Sequence, residues 1–173
     1  MSELDALYEE IILDHYRSPR NRAPGLADED VHVHHSNPLC GDEMDLRIRI
    51  RDGVLDGLAF DGDGCSISQA SASAMSVAVL GRPVDDVLGL VEEFRLMMHG
   101  ETPGRADDLG DGMVFEGVAR FPVRVKCALL GWMALRSRSF LWGVMVHWSV
   151  GLMMDSFVIG REVGFAEMLS RVF

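Results

Sequence analysis

Cysteine is scarce in this chain of 173 residues, which has only three, at positions 40, 65 and 127. An odd number of widely spaced cysteines cannot be fully satisfied by disulfides, so we expect free thiols. The sequence also lacks an opening basic region followed by a long apolar stretch, and we therefore expect no secretory signal. A reducing cytoplasm is the natural location for such thiols.

Basic residues are also few, with 16 lysines and arginines against 27 acidic residues and a net charge of −11. A field of this sign repels a phosphate backbone, which argues against nucleic-acid binding and favours protein or metal partners. No His-x-Glu or His-Glu-x-x-His motif provides a general base beside the cysteines, which argues against a zinc hydrolase or deaminase. With 48% hydrophobic residues, the chain can bury the core of one globular unit.

The three cysteines stand in distinctive surroundings. Cys40 is followed by Gly41 and Asp42. Cys65 lies between a Gly-Asp-Gly run and a serine, and Cys127 lies between a lysine and an alanine. Three thiolates and one nearby carboxylate make the four ligands that a tetrahedral metal requires, and Asp42 is the carboxylate that we choose. Thiolates favour zinc, copper(I) or iron-sulfur clusters over magnesium and calcium, and they also form persulfides.

Apolar periodicity in the first half predicts a helix, three strands and a second helix. The first helix begins after an N-cap at Ser2 and ends near Pro19. Alternation predicts strands over residues 31–34, 45–51 and 55–61, with Asp52 and Gly53 turning the second strand into the third. A helix of small residues is expected over 68–80. The hairpin of the second and third strands brings Cys40 and Cys65 to the same edge of the sheet.

The second half is predicted to be helical around one loop. Pro83 suits the first turn of an amphipathic helix, residues 100–112 are expected to form an acidic loop, and Pro122 opens a helix in which Cys127 faces inward. Because strands and helices are segregated, we predict an α+β fold with a small antiparallel sheet and helices packed on one face.

Four segments of the chain resemble the SufU/IscU family of iron-sulfur cluster assembly proteins, which is also similar to the N-terminal part of NifU. The segments are residues 7–16, 37–42, 62–70 and 125–132. Within the family the chain is more similar to SufU, since 61 residues separate Cys65 from Cys127 and Lys126 stands where IscU-type scaffolds have a histidine.

The resemblance implies a zinc site formed by Cys40, Asp42, Cys65 and Cys127 and a role as sulfur acceptor for a SufS-like cysteine desulfurase. The chain would then be a sulfurtransferase-like acceptor that works with the cluster assembly machinery rather than a stand-alone enzyme. We expect Cys40 to be the catalytic thiol, because it lies in a turn and because the sulfur-acceptor cysteine of the family maps to it. Two alternatives remain: a scaffold that assembles a [2Fe-2S] cluster on the same ligands, and a structural zinc module that presents a protein-binding surface.

Nearby histidines and basic residues are weaker candidates. His32 and His34 share one face of the predicted strand and His35 points to the other, so we interpret them as a surface strand rather than as ligands beside Cys40. Three roles are open for Arg124 and Lys126: they lower thiol pKa values, they meet the persulfide partner, or they are simply solvated.

Composition changes after residue 135. Residues 136–173 contain three acidic and four basic residues, whereas 24 acidic and 12 basic residues precede them. We therefore divide the chain into a SufU/IscU-like domain over 1–135 and an atypical apolar C-terminal tail over 136–173, for which a frameshift is one hypothesis. His147, Ser149, Asp155 and Ser156 interrupt the apolar stretch 140–159, which argues against a membrane span.

Overall fold

The computed structural model describes residues 3–38, 40–137 and Phe140, and in these residues the chain forms three strands, five α-helices and a 3₁₀ helix. In chain order the elements are α1 (Glu3–Arg17), β1 (Val31–Asn37), β2 (Asp42–Arg51), β3 (Val54–Asp61), α2 (Ser66–Val79), α3 (Val84–Met98), α4 (Ala106–Leu109), the 3₁₀ helix (Gly110–Arg120) and α5 (Pro122–Ala134).

The strands form one antiparallel sheet in the order β1-β2-β3. Alternate side chains of β2 are buried on the inner face, where Met44, Leu46 and Ile48 are fully covered. The other face carries the charged residues of β2 except Asp42, and Arg47 and Arg49 are partly covered by ion pairs to Glu29 and Asp56 rather than free in water. This alternation and the antiparallel pairing of β2 with β3 confirm the predicted hairpin.

Helices α2 and α5 cover the inner face of the sheet. Helix α5 packs against β1, β2, α2 and α3, and α1 packs on α2. A Cβ on Gly131 of α5 would lie 3.2 Å from the Met44 sulfur and 3.3 Å from the Met75 sulfur, so the missing side chain allows close contact between layers. The α+β prediction, with helices on one face of a small antiparallel sheet, is confirmed.

The expectation of an acidic loop over residues 100–112 is confirmed for 100–105 and wrong from residue 106 onward. Helix α4 and the 3₁₀ helix occupy much of this segment, and they bury Leu109 and Phe115 in the core. Phe115 packs edge-on against Phe94, whose ring stacks on Trp132 at a centroid distance of 4.2 Å. Tertiary packing of these apolar residues outweighs the glycines and aspartates that suggested a loop.

Other boundaries moved by a few residues. Helix α2 begins at Ser66 rather than Ser68, directly after Cys65, and β1 extends to Asn37. Ser2 and most of the tail lie outside the described residues, although Phe140 is fully buried. The division at residue 135 stays a prediction. Within the described ranges, no helix has the length and apolar character needed to cross a membrane.

Candidate metal centre

The turn between β1 and β2 exposes Cys40 and buries Asp42. The carbonyl of Asn37 accepts hydrogen bonds from the backbone N–H groups of Cys40, at 3.3 Å, and of Gly41, at 2.9 Å. Gly41 has a φ of 74°, a left-handed conformation that glycine adopts without strain. The turn delivers the chain to Asp42, the first residue of β2, whose side chain is buried at 6% exposure on the inner face.

The segment after β3 brings Cys65 to the same end of the sheet. The carbonyl of Asp63 accepts a hydrogen bond from the Glu43 N–H at 2.8 Å. A Cβ on Gly64 would lie 3.1 Å from Cγ of Asp42, so this backbone approaches the carboxylate closely. The N–H of Cys65 then donates to Oδ1 of Asp42 at 3.3 Å. The predicted meeting of the two motifs at one sheet edge is therefore observed.

Helix α5 supplies Cys127 from the inner side. Cys127 is buried at 1% exposure, as predicted, and lies one turn before Gly131, where the helix closely approaches Met44 of the sheet. The sulfur of Cys127 is 3.8 Å from the sulfur of Cys40 and 3.8 Å from the carbonyl oxygen of Val123. Two thiols that are 87 positions apart in the sequence thus become neighbours.

Ligand atoms of Cys40, Asp42 and Cys127 all lie within 4.8 Å of one another. Cys65 adjoins this group through its hydrogen bond to Asp42 and through its thiol, which interacts with that of Cys127. We call these four residues the cysteine centre. Within it Cys40 is exposed, Cys65 half-buried and Cys127 buried.

The electrostatics of the cysteine centre fit a bound cation. Burial raises the pKa of the Cys127 thiol far above its ordinary value, and the neighbouring thiols of Cys65 and Cys40 raise it further. Oδ2 of Asp42 is buried and has no hydrogen-bond partner in the described part of the chain. An unpaired buried carboxylate oxygen is unfavourable, and a metal ion would satisfy it. Two or three thiolates with one carboxylate form a donor set suited to zinc.

Gln69 is a polar residue near the cysteine centre that sequence reasoning left without a role. It is buried at 4% exposure, its Nε2 donates to the Gly62 carbonyl at 3.3 Å, and its Oε1 has no partner among the described residues. The sequence feature that could have indicated this residue is a glutamine four residues after Cys65, within a run of small residues.

A groove of about 300 Å³ lies along α5, and no sequence pattern indicated it. It is lined by the end of β1, the following turn and one side of α5, through His35, Ser36, Asn37, Pro38, Lys126, Leu129, Leu130 and Met133. Burial lowers the pKa of His35, and the adjacent His34 lowers it further. His32 and His34 are exposed on the outer face of the sheet, away from the inner-face Asp42, as the alternation predicted.

The three-stranded sheet, its single helical layer and the thiols at one end define a small α+β protein with a candidate thiolate metal centre. The sequence profile of the NifU-like N-terminal domain matches residues 7–128, and the chain belongs to this family. The predicted family resemblance is thereby confirmed.

Two relatives and one solved structure illustrate the similarity. The chain is 40% identical to the zinc-dependent sulfurtransferase SufU of Bacillus subtilis (strain 168), over 78% of this chain and 90% of the relative. It is 36% identical to the iron-sulfur cluster assembly scaffold protein IscU of Streptococcus pyogenes serotype M1, over 79% of this chain and 84% of the relative. A crystal structure from Fervidobacterium islandicum AW-1, described as an iron-sulfur cluster assembly scaffold for the SUF system, aligns with a TM-score of 0.67 at 28% identity, covering 76% of this chain and 95% of that one.

Proposed function

We propose that this protein is a zinc-dependent acceptor of persulfide sulfur in iron-sulfur cluster assembly and that a SufS-like cysteine desulfurase is its donor. The observation that carries the proposal is the graded exposure of the thiols: Cys40 is exposed in a turn, yet its sulfur lies 3.8 Å from the buried sulfur of Cys127. One cysteine can meet a partner while the other two remain within the protein. The relative from Bacillus subtilis, named a zinc-dependent sulfurtransferase, supports the same assignment.

Cys40, Asp42, Cys65 and Cys127 are the proposed zinc ligands. Zinc, when bound, would favour the deprotonated form of the thiols. The protein supplies the rest: Gly64 and the Cys65 amide hold the Asp42 carboxylate, and α5 holds Cys127 in a buried position. We place this chemistry in the cytoplasm, where thiols remain reduced.

In the proposed transfer, the Cys40 thiolate attacks the outer sulfur of a persulfide on the desulfurase. A sulfur–sulfur bond forms at Cys40, the sulfur–sulfur bond in the donor breaks, and the donor cysteine leaves as a thiolate. The reaction is an exchange, so it requires no external oxidant or reductant. The proton that Cys40 loses balances the proton that the donor thiolate can take up.

The start of α5 is the proposed docking surface for the desulfurase. Phe121 and Val123 are 57% and 74% exposed, and Arg124 and Lys126 are exposed beside them on the helix that carries Cys127. A basic and apolar surface next to the thiols contrasts with the acidic balance of the chain. An acidic partner surface with an apolar centre would complement it.

A scaffold function on the same ligands is the second candidate, because the relative from Streptococcus pyogenes is named a scaffold. Lys126, at a position where IscU-type scaffolds have histidine, favours the sulfur acceptor. Metal and acid-labile sulfide content of protein purified without oxygen distinguishes the two. Zinc without sulfide supports the acceptor, whereas iron with matching sulfide supports the scaffold.

Sulfur transfer itself is tested by incubating zinc-loaded protein with a cysteine desulfurase and cysteine, then measuring the added sulfur by intact mass and peptide mapping. We expect one added sulfur on Cys40 and none in Cys40→Ser. Sulfur uptake by Cys40→Ser at the wild-type rate would overturn the assignment. A Cys40 that never gains sulfur would favour the structural zinc module.

Docking is tested separately with Arg124→Glu and Lys126→Glu, measuring desulfurase binding and sulfur transfer. Arg17→Glu is the matched control, since Arg17 is exposed on α1. We expect both α5 variants to weaken binding with zinc content unchanged, and the control to bind as the wild type does. Equal weakening in all three variants would indicate a general effect of charge and would contradict the proposed surface.

A further inference from the structure

Two histidines and an aspartate converge on the outer face of the sheet. Nε2 of His32 lies 2.8 Å from Oδ1 of Asp45, and Nδ1 of His34 lies 3.3 Å from the same oxygen. His34 and Asp45 are direct cross-strand partners, and His32 is two residues further along the same face of β1. The paired strands therefore hold the three side chains together.

These side chains are accessible from solvent. The exposed fractions are 46% for His32, 54% for His34 and 34% for Asp45. Asp42 belongs to the inner face of β2, whereas Asp45, three residues on, belongs to the outer face. The cluster is therefore separated from the cysteine centre by the sheet, and the function proposed above uses none of its members.

The donor set is one that binds divalent transition metals. Two imidazoles and one carboxylate can ligate zinc and its neighbours in the first transition row, with water completing the coordination. Metal–ligand bonds of about 2.0–2.2 Å meeting at about 90–109° place neighbouring ligand atoms about 2.8–3.6 Å apart. Both nitrogen–oxygen separations, 2.8 and 3.3 Å, fall in this range.

We propose that His32, His34 and Asp45 form a second binding site for a divalent metal ion such as Zn²⁺, separate from the cysteine centre. Among the described residues, only Cys40, Asp42 and Cys127 already have three ligand atoms mutually within 4.8 Å. Rotation of the exposed imidazole rings is therefore needed to bring both nitrogens onto one ion. Because its rings must rotate and because it contains no thiolate, the second site binds the metal ion more weakly than the cysteine centre does.

Charges around the cluster favour a cation. Asp61 of β3 is the cross-strand partner of Asp45, and the exposed Glu43 lies on the same face of β2. The two nearby arginines are engaged, since Arg47 pairs with Glu29 at 3.3 Å and Arg22 pairs with Asp61 at 3.4 Å.

Calorimetric titration of Zn²⁺ into protein already loaded with one equivalent of zinc tests the proposal at pH 7.5. We expect a second equivalent of zinc to bind more weakly than the first. The double variant His32→Gln/His34→Gln should lower the affinity for this second equivalent by at least about tenfold, because even the loss of a residue that only hydrogen-bonds to a metal ligand can reduce affinity that much. Imidazole NMR signals of His32 and His34 should shift together as the second equivalent binds.

Three variants complete the test. His99→Gln removes another exposed histidine, on the C-terminal side of α3, and should leave the second equivalent unchanged. Cys65→Ala should weaken the first equivalent and retain the second, which separates this proposal from the zinc centre. Asp45→Asn provides an independent measurement if the double histidine variant folds poorly.

The absence of a second equivalent would overturn the proposal. So would a second equivalent that both the double histidine variant and Asp45→Asn retain at full affinity. A loss of stability without a loss of zinc binding would instead assign the cluster a structural role, linking β1 to β2.

Discussion

The backbone N–H of Cys65 donates a hydrogen bond of 3.3 Å to Oδ1 of Asp42, while Oδ2 of the same carboxylate is buried without a partner in the described chain. One oxygen is therefore held in place, and the other remains available. This arrangement links the two cysteine motifs and leaves an acceptor that a cation can use.

Asp42→Asn tests this relationship. The amide has nearly the same shape, but its neutral side chain is a poor metal ligand, so we expect zinc affinity to fall by at least about tenfold. The metal-free variant should be as stable as the wild type or more stable, because an unpaired buried carboxylate is costly. Competition with a chromophoric chelator and urea unfolding in chelator measure the two effects. Asp63→Asn, at an exposed position, is the control, and undiminished zinc affinity in Asp42→Asn would contradict the ligand assignment.

Gly64→Ala tests the close approach of the backbone to Asp42. The new Cβ would overlap the side chain of Ser68 and lie 3.1 Å from Cγ of Asp42. We expect a loss of about 1–3 kcal/mol in the free energy of unfolding, together with weaker zinc binding. Gly25→Ala is the matched control, since no atom lies within 4 Å of its added Cβ. If both variants behave alike in urea unfolding and zinc titration, the contact has no structural importance.

Ser73→Ala tests a buried connection between helices. Nδ1 of His15 is 2.8 Å from Oγ of Ser73, Nε2 of His15 is 3.0 Å from Oδ2 of Asp111, and the Arg20 N–H donates to Oγ of Ser73 at 2.8 Å. His15 and Ser73 are at most 1% exposed, so we interpret this arrangement as a structural connection between α1, α2 and the 3₁₀ helix.

Removing the Ser73 hydroxyl leaves the buried His15 imidazole and the partly buried Arg20 N–H without this partner, and we expect a loss of about 1–3 kcal/mol in the free energy of unfolding. Zinc affinity should not change, since none of these residues belongs to the cysteine centre. Thermal and urea unfolding measure the effect, with the exposed Thr102→Ala as control. Equal stability of wild type and Ser73→Ala would show that water replaces the hydroxyl.

Asp45 provides a prediction of pH dependence. Partial burial acts to raise its pKa, but the hydrogen bonds from His32 and His34 lower it below the ordinary value. A lowered pKa in the folded state stabilises the protein above the unfolded value of about 3.9, and this contribution is lost as pH falls through the folded value.

In metal-free protein, carboxyl NMR titration should give an Asp45 pKa below that of an unfolded chain. His32→Gln/His34→Gln should move this pKa upward, and the stability difference between wild type and double variant should shrink as the solution is acidified below about pH 3.9. An Asp45 pKa that is identical in both proteins would indicate that the two hydrogen bonds do not persist in solution.

Local sequence patterns predicted much of the fold. Alternating residues over 45–51, the turn at Asp52 and Gly53 and the proline at 122 placed β2, β3 and α5 within a few residues of their observed bounds. Such signals succeed because side-chain periodicity and turn chemistry act over short distances. Residues 106–112 were mispredicted because Leu109 is buried in the core, a tertiary contact that a local pattern of Gly and Asp does not reveal.

The sequence by itself determined the identity of the candidate ligands, because three cysteines and the Cys-Gly-Asp spacing leave few other uses for thiols in one chain. Only the tertiary structure decided how they differ. It set the 3.8 Å between Cys40 and Cys127, the burial of Asp42 with one unpaired oxygen, and the exposure of Cys40 alone. It also gave His32 and His34 a common acceptor in Asp45. Distances and burial depend on strand pairing and helix packing between residues far apart in the chain, and no local pattern encodes them.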